Sequence, residues 1–439
     1  MSPSTKPLKG FRDFFPEDLQ FQRYIFDTWR KVCLLYGYEE YDGPILENIE
    51  LYVHSGADIG ETGKDLYHFV DRGGRTVALR PEMTPTVGRM VADHSNNLVK
   101  PIRWFSIAQF FRAENPQRGR GREFYQLNCD IFGSDSILAD TESLSLSLEI
   151  MKAFGATKDQ FSLHISDRRF LSPVLLSITE ETEIEKIRPL MRMIDASGKH
   201  DSGWFTEGLT EMGLKPDSVQ ACLDLLTGSL PELLVKYPQN PGLVHIEKLL
   251  EILTSQGYGD LVQFNPGITR GFDYYTGVVF EMFDKNPQNN RSMFGGGRYD
   301  DLLTIFGKPN LPAVGFAPGD ITFQLFLEEW GLMPKFEGTS CQVLVTLFPL
   351  NQKDLRQKEF ELAQQLRASG VAVEMIIDEI PLAKQLGIAN KREIPYVCVI
   401  GPEEAQKGLV KIKTMANGEE ISLNEKEALG HVLKLVSQT

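Results

Sequence analysis

Residues 103–133 read RWFSIAQFFRAENPQRGRGREFYQLNCDIFG, and this stretch restricts the fold more than any other. Two runs rich in aromatic and aliphatic residues flank ENPQRGRG, a polar segment with one proline and two glycines. That pattern predicts a β-hairpin with a long tip. Side chains along a strand alternate between its faces. Ala108, Phe110 and Arg112 therefore share a face of the outgoing strand, and Arg122, Phe124, Gln126, Asn128 and Asp130 share one on the returning strand. A guanidinium, a ring, amides and a carboxylate in one row do not make an apolar core, because an unpaired buried charge is costly. The row suits a small zwitterion lying beside a polyanion. The ring can stack a base, arginine can grip a carboxylate or phosphate with two bonds, and the acid can accept from an ammonium or imidazole N–H. The competing reading is a solvated sheet face with a basic loop, and this stretch alone leaves both open.

A chain of 439 residues is too long for one ordinary core, so two or three domains are expected. Hydrophobic content of 42% and charged content of 24% are those of a soluble globular protein. No apolar run is long enough to span a bilayer, and MSPSTKPLKG lacks the apolar stretch of a signal peptide, so a cytoplasmic location is expected. Cys33, Cys129, Cys222, Cys341 and Cys398 are odd in number and scattered, which fits reduced thiols rather than a disulfide frame or zinc site. The seven histidines form no ligand-spaced cluster either. A net charge of −14 argues against a protein that coats nucleic acid, but it leaves room for a local basic groove.

GFRDFFP near the N-terminus reads as a short irregular arm. Pro16, Glu17 and Asp18 open an amphipathic helix to about Tyr36, proline and acids suiting its first turn. GYEEYDGPILEN follows as a turn and a strand, and Pro44 places that strand at an edge or an interface. Two short strands at 63–71 and 75–79 precede Arg80-Pro81-Glu82-Met83-Thr84-Pro85 and a helix from Thr86. A helix over 140–154 and a strand over 161–165 come next. Helical periodicity from about 170 to 249 suggests an inserted helical module. Strands return at PGITRGFDYYTGVVFEMFD and FGGGRYDDL, then a helix from Gly319 to Trp330. GLMPKFEGTS, residues 331–340, has linker composition. From Cys341 strands and helices alternate, which predicts a separate α/β domain with mainly parallel strands. Leu355, Leu362 and Leu366 share one helix face there and are expected in its core.

Three further constellations carry chemistry. Arg80-Pro81-Glu82-Met83-Thr84 sets a carboxylate and a hydroxyl at a helix start, near free backbone N–H groups. Arg270-Gly271-Phe272-Asp273-Tyr274-Tyr275-Thr276-Gly277 combines charge and phenols with glycines that admit close approach. Phe294-Gly295-Gly296-Gly297-Arg298-Tyr299-Asp300 does the same, and it is not a phosphate-loop or dinucleotide fingerprint. No nucleophile–histidine pattern stands out. A set rich in arginine and carboxylate fits electrostatic catalysis of phosphoryl or nucleotidyl transfer.

These segments resemble the class II aminoacyl-tRNA synthetases, and specifically the histidyl-tRNA synthetase family, over nearly the whole length. GYEEYDGPILEN resembles the first class motif, whose proline lies at a dimer interface, and FRAENPQRGRGREFYQLNCDIFG resembles the second. RGFDYYTG and GGGRYD resemble the two signatures peculiar to the histidine enzymes, and AKQLGIANKREIPYVCVIG resembles their anticodon-binding domain. The resemblance implies an α+β catalytic domain built on an antiparallel sheet over residues 1–330, with the helical insertion at about 170–249. A linker at 331–340 and an α/β anticodon-binding domain at 341–439 would follow.

It also implies roles. Glu82, Thr84 and Gln126 would hold the α-amino group of L-histidine, with Met83 between them in the same segment. Asp130 and Tyr275, with Tyr274 beside them, would read the imidazole. Arg112 would touch the substrate carboxylate and α-phosphate, and Arg270 would act at the α-phosphate as the electrophilic catalyst. Arg120 and Arg122 would meet the outer phosphates of ATP, and Phe124 would stack on adenine. Mg2+ would bridge the phosphates, with no resident metal site in the protein. The implied partner is tRNA(His), and the implied assembly is a homodimer. One departure is plain: AVGFAPGDITF places Thr322 where the family's third motif carries an arginine, with Asp320 nearby. Two paralogous functions on this fold are a regulatory subunit of ATP phosphoribosyltransferase and a sensor of uncharged tRNA. The intact RGFDYY and GGGRYD favour the ligase over both.

Overall fold

The structure is a computed structural model. It describes residues 3–53, 65–197, 202–269, 274–289, 292–336, 339–348 and 353–437. The chain divides into two compact units, Met1–Met333 and Pro334–Thr439.

The first unit is organised on an eight-stranded sheet. Its strands run, in spatial order, Glu39–Glu40, Ile102–Phe111, Glu123–Phe132, Ala313–Phe316, Ser292–Arg298, Val278–Asp284, Phe161–Asp167 and Val262–Phe264. The two outermost pairs are parallel and the rest antiparallel. The expected hairpin is the longest ladder, paired without a break from Ile102↔Phe132 to Phe111↔Glu123. One face of the sheet is covered by the helices Pro16–Leu35, Ile137–Ala153 and Asp320–Glu329. Aromatic residues weld that layer: Trp29 meets Phe323 edge-on at 5.3 Å between ring centres, and Phe154 meets Phe323 at 4.9 Å. The helix Ile137–Ala153 starts where the Ser136 hydroxyl accepts from the Leu138 N–H at 3.2 Å, satisfying one of the donors a helix start leaves open.

Between the parallel neighbours Phe161–Asp167 and Val262–Phe264 the described residues make six helices, Arg168–Thr179, Ile184–Ser197, Ser202–Glu211, Pro216–Thr227, Leu230–Lys236 and Pro241–Ser255. They close around a core of their own that includes Phe170, Leu175, Leu190, Leu209, Cys222 and Leu225. A three-stranded sheet of Leu46–Asn48, Thr76–Leu79 and His68–Val70 stands apart from the large one. Pro44 lies just outside its first strand. Among the described residues no helix is long and apolar enough to cross a membrane. All five cysteines are buried and free.

The second unit differs from the expectation of mainly parallel strands. Its sheet runs Val373–Met375, Val343–Val345, Tyr396–Val399, Leu409–Thr414, Glu420–Asn424. The first three strands are parallel and the last two join antiparallel. Asn417-Gly418 makes the turn of a closing hairpin, with Gly418 at φ +75°, where glycine bears no steric penalty. The strand Glu420–Asn424 alternates only over Ile421 and Leu423 and is almost wholly exposed, a run too short to stand out from the turn before it and the helix after it. Leu355, Leu362 and Leu366 are in the core of this unit as expected.

Candidate active site

The returning strand Glu123–Phe132 supplies Phe124, Gln126, Asn128 and Asp130 to one face, as alternation requires. Its neighbour Ala313–Phe316 places Gly315 in register with Asp130. A Cβ on Gly315 would fall on the Asp130 carboxylate oxygen and lie 2.9 Å from the Tyr299 hydroxyl oxygen. Glycine is thus what keeps a hollow open above the sheet. The hollow is a cleft lined by Glu82, Thr84, Arg112, Gln126, Asn128, Asp130, Tyr274, Tyr275, Gly295, Tyr299, Gly315, Phe316 and Ala317. Residues far apart in the chain therefore meet in one place.

Each wall has its own anchor. Arg80 is almost wholly buried beneath the segment that carries Glu82 and Thr84. Its Nε donates to the Gln109 carbonyl at 2.8 Å, and its Nη1 donates to the Gly43 carbonyl at 2.7 Å and Asp42 Oδ1 at 2.9 Å. Its guanidinium also lies 5.3 Å from the centre of the Phe110 ring. This pins the start of the helix Thr84–His94 to the outgoing strand of the hairpin. Arg112 donates from Nε to the Pro81 carbonyl at 3.2 Å and sits 5.2 Å from the Phe124 ring centre. Gln126 donates to the Ala317 carbonyl at 3.2 Å, and Asn128 to the Gln126 carbonyl at 3.3 Å.

Asp130 is the electrostatic centre. It is 5% exposed and accepts a short bond from the Tyr299 hydroxyl. Burial pushes its carboxyl up to about 7, while the Tyr299 bond pulls the other way. Burial, the nearby Asp130 charge and the bond itself hold the Tyr299 hydroxyl well above its ordinary value, so Tyr299 stays the donor. Tyr274, Tyr275 and Tyr299 cluster above the carboxylate, with ring centres 4.9 to 6.4 Å apart. The arrangement offers an acceptor for an N–H donor, held in an aromatic box and flanked by a second carboxylate, Glu82.

Some expected residues lie elsewhere. The Met83 side chain is fully buried against Ala108 and Phe110, and it does not line the cleft. Phe124 packs 5.8 Å from the Phe110 ring centre on the outer part of the hairpin. Arg122 donates to the Glu114 carbonyl at 2.9 Å, and the exposed Arg120 lies 3.7 Å from the Glu114 carboxylate. These three continue outward from the cleft along the hairpin. Arg270 lies outside the described residues, as do its neighbours 271–273. Arg298 of GGGRYD is buried and ion-paired with Asp140 at 2.6 Å and Asp300 at 3.1 Å; its work is within the fold. Thr322 turns its hydroxyl back to the Met293 carbonyl at 3.1 Å and the Gly319 carbonyl at 3.2 Å. Arg80 and Tyr299 lie in segments that the sequence marks, but their partners are distant in the chain, so no local pattern shows what they do; nothing in the sequence singles out Gly315.

A family model described as histidyl-tRNA synthetase matches residues 10–319, and one described as an anticodon binding domain matches residues 342–435. The histidine–tRNA ligase of Leptospira biflexa serovar Patoc is 37% identical over 443 residues, covering 99% of each chain. That of Haloarcula marismortui is 36% identical over 95% of each. The fold is that of the histidyl-tRNA synthetase of Nostoc sp. PCC 7120, with a TM-score of 0.80 at 23% identity over 99% of this chain and all of that one. An ATP phosphoribosyltransferase regulatory subunit/histidyl-tRNA synthetase from Bacillus halodurans has the same fold, with a TM-score of 0.73 at 24% identity over 91% of this chain and 99% of that one.

Proposed function

The chain belongs to the histidyl-tRNA synthetase family, and from that premise we propose that it activates L-histidine with ATP and transfers the histidyl group to tRNA(His). The observation that carries the reading is the cleft itself. Glu82, Thr84, Arg112, Gln126, Asp130, Tyr274 and Tyr275 all line it. They supply acceptors for an ammonium, a cation for a carboxylate and a buried acceptor for an imidazole N–H.

The chemistry needs little proton transfer. The histidine carboxylate is ionised at neutral pH and attacks the α-phosphorus of ATP, forming histidyl-adenylate and releasing pyrophosphate. The protein must hold two anions in line and offset the charge that builds up. Arg112 is placed for the carboxylate and α-phosphate, with Arg270 as the second cation. Arg120 and Arg122 take the outer phosphates, and Phe124 stacks on the base. Among the described residues no group of three or more His, Cys, Asp or Glu could hold a metal ion. Mg2+ would act as the counter-ion of the ATP phosphates, and Glu114, set beside Arg112 and Arg120, is the carboxylate that would help hold it. When bound it supplies charge neutralisation. A terminal tRNA hydroxyl then takes the histidyl group, and the unit Pro334–Thr439 reads the anticodon. Asp130, the acceptor for the imidazole N–H, is left as a costly unpaired acceptor by any apolar amino acid, which sets specificity, whereas Glu82 meets the α-amino group that all amino acids share.

We assign the chain to the cytoplasm and to a homodimer. Ile45, Leu46, Val53, Phe69 and Val70 are large apolar side chains exposed in and beside the small three-stranded sheet, which suits burial against a second copy. The ligase is favoured over a regulatory subunit because the anticodon-binding domain is retained and full-length relatives are histidine–tRNA ligases. Histidine-dependent ATP–pyrophosphate exchange tests it. Exchange followed by charging of tRNA(His) is expected; saturable histidine binding without exchange at millimolar ATP would replace the ligase by a binding role.

A further inference from the structure

The helix Asp320–Glu329 contains no arginine or lysine, so the third-motif segment brings no cation of its own to the nucleotide end of the site. What it brings is a buried carboxylate. Asp320 Oδ2 accepts from Arg12 Nη2 at 2.7 Å, and Asp320 Oδ1 accepts from the Tyr125 N–H at 2.9 Å. Its side chain is 4% exposed and that of Arg12 28%. Burial raises the Asp320 carboxyl, and Arg12 is the strongest influence in the other direction.

Arg12 belongs to the arm GFRDFFP. Two residues earlier, the Gly10 carbonyl accepts from the Arg122 N–H at 2.8 Å and the Glu123 N–H at 3.3 Å. Gly10 has φ +89°, and a Cβ there would lie 2.8 Å from Arg122 Cγ. Two residues later, Phe14 meets the Tyr125 ring at 6.4 Å between centres. The arm thus runs along residues 122–125, where the hairpin tip joins the returning strand. From the other side the third-motif segment docks on the same strand, with the Leu127 N–H donating to the Pro318 carbonyl at 3.0 Å and Gln126 bridged to Gly319. Asp320 is the tie between the two.

We propose that Arg12 and Asp320 form a positioning pair for ATP: the ion pair locks the arm against the base of the hairpin tip and so aims Arg122 and Phe124 at the nucleotide. The proposal rests on the ligase reading for the identity of the nucleotide. Neither residue touches substrate; both act through the returning strand.

The test uses the full chain and calorimetric titration with Mg2+–ATP and, separately, with histidine, alongside pyrophosphate exchange. The variants are Arg12→Ala, Arg12→Lys, Asp320→Asn and the double Arg12→Ala/Asp320→Asn. Arg12→Ala and Asp320→Asn are each expected to weaken ATP binding about tenfold and histidine binding less than about twofold, with the double no worse than either single. Arg12→Lys is expected to recover most of the loss. Equal loss for both substrates, unchanged ATP affinity, or additive losses would overturn the pair. A wild type that binds ATP and histidine without exchange sinks the ligase reading but leaves the pair readable in ATP affinity. A wild type that binds no ATP sinks the pair.

Discussion

The Tyr299 hydroxyl donates to the Asp130 carboxylate across Gly315, whose strand lies between that of Asp130 and the strand Ser292–Arg298 that Tyr299 follows. Asp130 is therefore a carboxylate held by one phenol in a buried hollow, ready to accept a second donor.

That arrangement has a pH signature. The Asp130 carboxyl is raised from 3.8 to about 7, so ionising it costs the folded chain stability. The cost is full above the folded value and absent below the unfolded one. Asp130→Asn should melt at a higher temperature than the ligand-free wild type at about pH 8, with the advantage shrinking as pH falls from about 7 toward 4. Thermal melts across that range decide it. An advantage of equal size at both ends would mean that Asp130 does not titrate there.

Gly315→Ala should injure histidine binding more than ATP binding. The added Cβ would collide with the Asp130 carboxylate oxygen and the Cys129 carbonyl. Overpacking of this kind costs about 1–3 kcal/mol. Separate titrations with the two substrates check it, and normal histidine affinity in a folded variant would remove Gly315 from the site.

Much of this site is legible in the sequence. Strand alternation set Gln126, Asn128 and Asp130 on one face, and the ladder from Ile102 to Phe132 keeps them there. A hairpin is local, so its register is written in adjacent sequence. The phenol that tunes Asp130 comes from 169 residues away, and Arg80 finds Asp42 and Gln109 on two other segments. Such partners are chosen by tertiary packing, which no periodicity records. Met83 departs from its neighbours for a related reason: Glu82 and Thr84 line the cleft, while the Met83 side chain turns into the core.

Arg270→Ala should leave histidine binding within about threefold and slow adenylate formation by about 10²-fold or more, as loss of a transition-state charge contact requires. Single-turnover pyrophosphate release measures this directly. Near-normal release would transfer the electrophilic role to Arg112.

Cutting the chain after Met333 should preserve histidine activation and abolish efficient charging. Each side of that cut has its own core. Exchange and charging assays on the shortened chain, compared at equal concentration, separate the two steps. Loss of exchange from a folded shortened chain would show that activation needs the second unit.

The strands Phe161–Asp167 and Val262–Phe264 are parallel neighbours. A tight turn cannot join parallel neighbours; some crossover must. The six-helix module is that crossover grown large, entering and leaving the sheet at adjacent positions and keeping a core apart from the cleft. The sheet therefore works as a socket. What is plugged into it also reaches the cleft wall: Arg168, at the start of the first helix, donates to the Tyr275 carbonyl at 3.2 Å and lies 5.9 Å from the centre of its ring.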